Sequence, residues 1–485
     1  MNYKMLFRLS GRVLLLEAAF MLLPLIMSVI YHEPHSAVAF AQSILITLAV
    51  GFLFSSLLSK GAKPGFYARE GLVVTGICWI VMSAFGAIPF VLNGDIPSYI
   101  DAYFEMSSGF TTTGASIIPN VETMTHGTLF WRSFSNWIGG MGVLVFLLAI
   151  TKGAGKENGF TLHILRAESP GPSVGKIVPK MKQTATILYL MYIVITVLNI
   201  FFLFIGGMPL FDSVCHAFST AGTGGFGVKA DSFASYSPYI QVVTTIFMLL
   251  FGVNFSIYYI IILKKIKDVF HDEEIRLYFF VVLASGLLIG YNIRPMFSTV
   301  SETLRASFFQ VASMITTTGF ATADYDAWPV FSKTLILLLM MIGACAGSTG
   351  GGMKCARVLI LVKSLVINIR KNLHPRTVQV LKINDRVVSD DVITNTHAYF
   401  AAYVIIVAAL TLLLSLDGFS IETNLSSALC TFNNIGPGLG SVGPTCNFAE
   451  YSDLSKILLS FAMITGRLEI FPILSLLSRR TWKKT

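Results

Sequence analysis

The segments DAYFEMSSGFTTTGAS (residues 101–116), FDSVCHAFSTAGTGGFG (211–227), RASFFQVASMITTTGFAT (305–322) and SSALCTFNNIGPGLG (426–440) decide how this chain folds. Each opens with a half-polar stretch of about ten residues, half of what a helix needs to cross a hydrocarbon core, and then runs into glycine and threonine. Aligned on Gly114, Gly222, Gly319 and Gly436, the four lie 108, 97 and 117 residues apart. The position four before each glycine is Phe110, Phe218, Ile315 and Phe432, and the two before it are Thr112-Thr113, Thr220-Ala221, Thr317-Thr318 and Asn434-Ile435. Self-similarity of this kind marks an internal repeat, read here as helix, short re-entrant helix, glycine-containing loop, helix.

Outward from these segments the chain is apolar. Of 485 residues 54% are hydrophobic and only 13% charged, where soluble domains carry about a quarter; mean hydropathy is +0.71. An ordinary soluble enzyme is excluded. Ten blocks approach the length of about 20 residues that spans a bilayer: 11–31, 37–59, 70–92, 129–151, 184–206, 238–263, 275–292, 331–362, 393–416 and 454–477. Lys4, Arg8 and Arg12 ahead of the first block, with AVAF at 37–40, have the outline of a signal peptide, but Glu17 interrupts the run and a second spanning block follows at once. Both helices are therefore expected to be retained.

The net charge of +9 would suit nucleic acid only if it formed a stripe on a folded surface. Instead the segments 1–12, 60–69, 152–182, 264–276, 354–386 and 479–484 hold 3, 3, 6, 4, 8 and 4 Lys and Arg, 28 of the 35. Basic residues gather on the cytoplasmic side, so these segments are predicted to be cytoplasmic, with both termini inside and no nucleic-acid partner. The predicted fold class is an all-α polytopic membrane protein with four pseudo-repeats around a central pore and an extra N-terminal helix pair. Its divisions are a two-helix unit over 1–66, pore repeats over 67–151, 183–268, 269–362 and 392–485, and cytoplasmic loops over 152–182 and 363–391.

Irregular backbone at membrane depth survives only where protein buries it or water lines it. Four such loops in one chain need a shared centre, and a fourfold ring of carbonyls behind short half-helices is how potassium channels replace an ion's hydration shell. Glycine lets the chain turn sharply with its oxygens inward. Flanking threonine hydroxyls either satisfy neighbouring backbone groups or add to coordination. A second irregular stretch, GACAGSTGGGMKCAR (343–357), holds Gly343, Gly347, Gly350, Gly351 and Gly352 with Ser348 and Thr349, and ends at Lys354. At about 1 kcal/mol lost per glycine it makes a poor helix, and its place below a filter makes it a candidate gate. Arg467 sits about 13 residues into the last apolar block, too deep for easy snorkelling, and such charges face a bundle interior or a water path. It is a candidate barrier in the pore, with a structural ion pair as the alternative.

Other signals resolve to structure. GTGGFG (222–227) matches the dinucleotide pattern but lacks its strand and helix. GSTGGGMK (347–354) lacks the adjacent Gly-Lys-Ser/Thr of a phosphate loop. Cys78, Cys215, Cys345, Cys355, Cys430 and Cys446 show no metal spacing and read as small core residues, and His216 reads as a local hydrogen-bonding residue. Ser348 has no histidine partner for a nucleophile, so no enzyme activity is expected.

The four filter segments, the glycine-rich break at 343–357 and GRLEIFP (466–472) make the chain resemble the Trk, Ktr and HKT superfamily of potassium transporters, and the membrane subunit of bacterial Trk systems most closely. The resemblance covers nearly the whole chain. It implies a potassium filter built from the backbones of Thr111, Thr112, Thr113 and Gly114; Thr220, Ala221 and Gly222; Thr316, Thr317, Thr318 and Gly319; and Asn433, Asn434, Ile435 and Gly436. The fourth loop departs from the threonine pattern, which predicts broken symmetry and weaker binding. The resemblance also implies that the break obstructs the pore, that Arg467 lies in it, and that the protein is a homodimer in the bacterial inner membrane. Potassium would be cargo, and no cofactor would bind this chain; NAD or ATP would sit on a cytosolic regulatory ring docked at 152–182 and 354–386. Membrane lipid is the surrounding partner. A secondary symporter coupled to protons or sodium is the alternative function, because helices and a filter do not reveal the energy source.

Overall fold

The computed structural model describes residues 2–61, 68–142, 181–376 and 379–482. The expected cytoplasmic loop 152–182, except its last two residues, and the part of the fourth expected span beyond residue 142 lie outside the described residues.

Behind an N-terminal pair (Tyr3–Phe20 with Leu22–Ile30, then Pro34–Phe52), the same three elements recur four times. Outer helices are Ala68–Gly86, Met181–Ile205, Glu273–Ile293 and Asp390–Leu414. Filter helices are Tyr99–Phe110, Leu210–Gly222, Val300–Ile315 and Ile421–Phe432. Inner helices begin at His126, Pro238, Val330 and Asp453. The one departure from an all-helical chain among the described residues is a hairpin in which Lys382–Ile383 pairs antiparallel with Arg386–Val387. Its turn residues Asn384 and Asp385 have φ of 50° and 58°, the left-handed values a two-residue turn requires.

Three of the four filter helices start where side chains cap them. Ser98 accepts from the Asp101 amide, Thr299 and Glu302 form a reciprocal capping box, and Ser420 accepts from the Thr423 amide. All four carry an acid in the first turn, namely Asp101, Asp212, Glu302 and Glu422. The acids complement the positive helix end, which leaves each negative end at the filter loop.

Several of the ten expected blocks are not single continuous helices. Six helices among the described residues are long and apolar enough to cross a bilayer, and a seventh span, Pro238–Phe251 with Phe255–Ile262, bends by 90°. The inner helices are the broken ones: the second at 252–254, the third at 343–354 and the fourth at 468–470, while the first ends at Gly140. Sequence reading had located only the third break. The others carry little glycine, and their cause is tertiary: each inner helix packs against the filter helix of the next repeat, the fourth against the first, and must leave room at the centre of that ring.

Ring closure is visible at the seam between repeats four and one, where Lys456 pairs with Asp101 at 2.6 Å and the Phe448 amide donates to the Ser116 carbonyl at 2.9 Å. The chain ends also meet: the Tyr3 and Trp482 rings stack at 6.3 Å, placing both ends on one face. At the first repeat a fully buried pair fixes the return loop. Arg132 meets Glu105 at 2.7 Å, and Glu105 also accepts from Ser116 Oγ and the Ile117 amide, each at 3.0 Å. The Arg132 guanidinium lies 4.0 Å over the Phe226 ring and donates to the Gly227 carbonyl of repeat two at 3.3 Å. Removing one partner leaves the other charge buried and uncompensated, which costs about 3–5 kcal/mol. Glu105→Gln is therefore expected to lower the unfolding temperature of the detergent-purified protein clearly; a stability within about 0.5 kcal/mol of the native protein, the range of ordinary surface changes, would contradict this role.

Candidate ion-conduction site

Each filter helix hands over to a loop of one repeated geometry. The amides of Thr113, Gly224, Thr318 and Ile435 all donate back five residues, to Ser108, Ser219, Ser313 and Cys430, each at 2.8 Å. One residue earlier, Thr112, Thr223, Thr317 and Asn434 have φ of 55°, 54°, 58° and 56°, and one residue later Gly114, Gly225, Gly319 and Gly436 have φ of 79°, 73°, 83° and 97°. Positive and negative φ thus alternate along each loop. An extended strand points successive carbonyls to opposite sides, and alternating handedness brings them to the same side.

The four loops touch in a closed cycle. A Cβ added to Gly114 would collide with the Gly224 carbonyl oxygen, one on Gly225 with that of Thr318, one on Gly319 with that of Ile435, and one on Gly436 with that of Thr113. Glycine is needed here twice over, for its positive φ and for this approach. All four glycines line one cavity of about 140 Å³, whose wider rim includes Arg132 and Lys229. The threonine hydroxyls turn back to protein: Thr111 Oγ1 donates to the Ser107 carbonyl at 2.6 Å, and Thr316 Oγ1 to that of Ala312 at 2.6 Å. In the fourth loop Asn433 Nδ2 does the same work, donating to the Leu429 carbonyl at 2.9 Å and to the Tyr403 hydroxyl at 2.8 Å. A ring of backbone oxygens at the negative ends of four helices favours a cation with no side-chain charge required.

The stretch 343–354 lies against this ring. The Gly351 amide donates to Thr317 Oγ1 at 2.6 Å, and a Cβ on Gly350 would sit 2.9 Å from the Thr316 carbonyl oxygen. Thr349 Oγ1 donates to the Phe251 carbonyl at 3.3 Å and Ser348 Oγ to that of Cys345 at 2.6 Å, while Lys354 Nζ donates to the Gly350 carbonyl. Gly343, Gly347 and Gly352 have φ of 74°, 75° and 73°, so the segment turns at three points. Glu274 holds its base, accepting from the Ala346 amide at 2.6 Å and the Ala356 amide at 3.1 Å. Half-buried Arg467 donates to the Thr349 carbonyl at 2.7 Å and to the Gly139 and Gly140 carbonyls, each at 2.6 Å. One guanidinium thus ties this segment to the last carbonyls of the first inner helix. Glu469, two residues on, pairs with Arg357.

Comparison with known proteins follows from this geometry. Residues 36–483 match the TrkH family, described as cation transport proteins. The chain belongs to that family. It is 33% identical to the Trk system potassium uptake protein TrkH of Salmonella typhimurium and 32% identical to that of Escherichia coli, with 100% of both chains covered in each case. The crystal structure of the potassium transporter TrkH from Vibrio parahaemolyticus matches with a TM-score of 0.89 and 30% identity, covering 100% of both chains.

Within this TrkH-family chain, three of the four sequence-derived loops fall in register. The second does not: Thr220 and Ala221 lie inside the filter helix and Gly222 closes it. The loop residues are Thr223, Gly224 and Gly225, three positions on. The dipeptides Gly225-Phe226 and Gly319-Phe320 carried that register and were passed over in favour of Thr-x-Gly. His216 is another correction: it is buried 4.5 Å from the Phe233 ring, and neither ring nitrogen has a hydrogen-bond partner among the described residues. Of the cysteines, Cys446 is exposed. Glu105, Arg132 and Glu274 had not been singled out. The register makes a sharp comparison: Gly225→Ala is expected to reduce cation flux at least about tenfold, a loss of about 1.4 kcal/mol or more in the path, whereas Thr220→Ala keeps the cation preference. Flux assays on the two variants check this, and the reverse ranking would restore the Gly222 register.

Proposed function

We propose that this inner-membrane protein carries potassium into the cell through the ring formed by residues 111–114, 222–225, 316–319 and 433–436. The carrying observation is the cyclic contact of four glycine loops, each behind the negative end of a filter helix. The names of its relatives, Trk system potassium uptake proteins, supply the ion. Backbone oxygens replace the hydration shell, and the helix ends stabilise the partly dehydrated cation. The rim cavity would receive ions from outside, and the bias of basic residues orients both termini to the cytoplasm.

The segment 343–354 is the gate in this reading. Its contacts with Thr317 and the Thr316 carbonyl leave little space for an ion leaving the ring, and Arg467 adds a fixed positive charge at the same level. Opening requires the three carbonyl bonds of Arg467 and the Lys354 bond to rearrange together. The chain would act as a homodimer, with a cytosolic nucleotide-binding ring driving that rearrangement through the long helix Cys355–Leu373 that continues from the gate. Passage without an alternating-access cycle follows from a ring that is continuous with the rim cavity.

Planar-bilayer recording of the purified protein tests both parts. Unitary currents far above about 10³ ions per second, beyond typical turnover numbers, are expected; movement confined to carrier-like rates would favour a symporter. Deleting residues 347–352 in the same assay is expected to raise basal open probability, and folded protein that stays at the native level would make the segment a packing element.

A further inference from the structure

The first helix carries charge that meets no counter-charge among the described residues. Lys4, Arg8 and Arg12 are spaced four apart on Tyr3–Phe20, so they share one face and repel one another. Arg8 and Arg12 are half-buried, and among the described residues neither forms an ion pair or a hydrogen bond. Lys4 gives one bond, from Nζ to the Lys60 carbonyl at 2.9 Å. Elsewhere the buried arginines are paired, Arg132 with Glu105 and Arg357 with Glu469. An unpaired arginine inside a membrane helix is costly.

Their depth identifies the missing partner. The candidate span Tyr3–Ile30 has 28 residues, about 42 Å of helix against a hydrocarbon core of about 30 Å. The surplus of about 12 Å, roughly eight residues, takes in Lys4 and Arg8, and Arg12 stands one turn deeper, where its long side chain can snorkel back to the lipid phosphates. The helix also stands beside an irregularity that shapes a groove. Pro34–Phe52 continues into a π-helical turn, Leu53–Leu57. A Cβ on Gly11 would lie 2.7 Å from the Gly51 carbonyl oxygen, so the two helices are in backbone contact there. Phe7 and Phe54 close one side, edge to face at 5.2 Å. Phe52 and Leu57 next to it are exposed.

We propose that the groove between Lys4, Arg8 and Arg12 and the turn Leu53–Leu57 binds the phosphate of an anionic phospholipid, with its acyl chains over Phe52 and Leu57. The arginines supply several N–H donors that match a phosphate in a fork geometry, and the apolar side chains distinguish a lipid from a free anion. Basic pockets between membrane helices recognise head groups in this way. The lipid would complete the N-terminal helix pair by neutralising its like-charge stripe.

Native mass spectrometry of the full-length protein, titrated with phosphatidylglycerol or phosphatidylcholine, tests this site. The native protein is expected to prefer phosphatidylglycerol, and R8Q/R12Q to weaken that binding about thirtyfold, the product of two basic contacts. Removing two charges elsewhere, K265Q/K267Q, is expected to leave it unchanged, and inorganic phosphate should fail to displace the lipid. Native-like binding by R8Q/R12Q, an equal loss in K265Q/K267Q, or displacement by phosphate would each overturn the proposal. If the double variant does not yield monodisperse protein, Arg8→Gln alone provides the same comparison, with an expected loss of about fivefold.

Discussion

A closed ring of backbone carbonyls in the middle of a membrane is the constraint on which the rest of the structure depends. Such oxygens are costly when left without a partner in hydrocarbon, and they repel one another when aimed at one axis. The chain holds them there by rigid means. Five-residue backbone hydrogen bonds fix each loop to the end of its filter helix, and glycine at the seams lets one loop's carbonyl rest on the next loop's α-carbon. In the proposed function a cation on the axis is the partner that makes the arrangement favourable, so stability and transport draw on the same electrostatics.

The surrounding elements follow from holding that ring. Filter helices point their negative ends inward and carry acids at their outer ends. Inner helices brace the filter helix of the following repeat and break at the level of the ring. Arg467 donates to the carbonyls at the end of the first inner helix while gripping the segment from the third. A residue that first looked like a barrier to cations is therefore also a structural tie between distant repeats. In the proposed reading its removal acts on the gate and on the scaffold together.

Much of this was legible in the sequence because it was repeated. One Thr-x-Gly could be a helix cap, but three copies and a fourth, Asn-Ile-Gly, with matching hydrophobic neighbours pointed to a ring and four filter helices. The error in the second repeat arose where local similarity conflicted with geometry: Thr220-Ala221-Gly222 resembles the other loops, yet the hydrogen bond from Gly224 to Ser219 sets the register three residues later. Two of the inner-helix breaks were illegible because they rest on packing. Glu469 and Ile470 adopt φ of 54° and 72° without glycine, a strain that only the surrounding ring can hold in place. Glu105 was hidden for a related reason, since its partner Arg132 lies in another apolar stretch and only the fold brings them together.

The central claim concerns where the ion sits, and crystals of the protein grown with rubidium or thallium test it directly through anomalous scattering. The account predicts a peak on the axis, enclosed by the carbonyls of residues 112–113, 223–224, 317–318 and 434–435. An ordered structure whose anomalous peaks all lie outside that ring would contradict it.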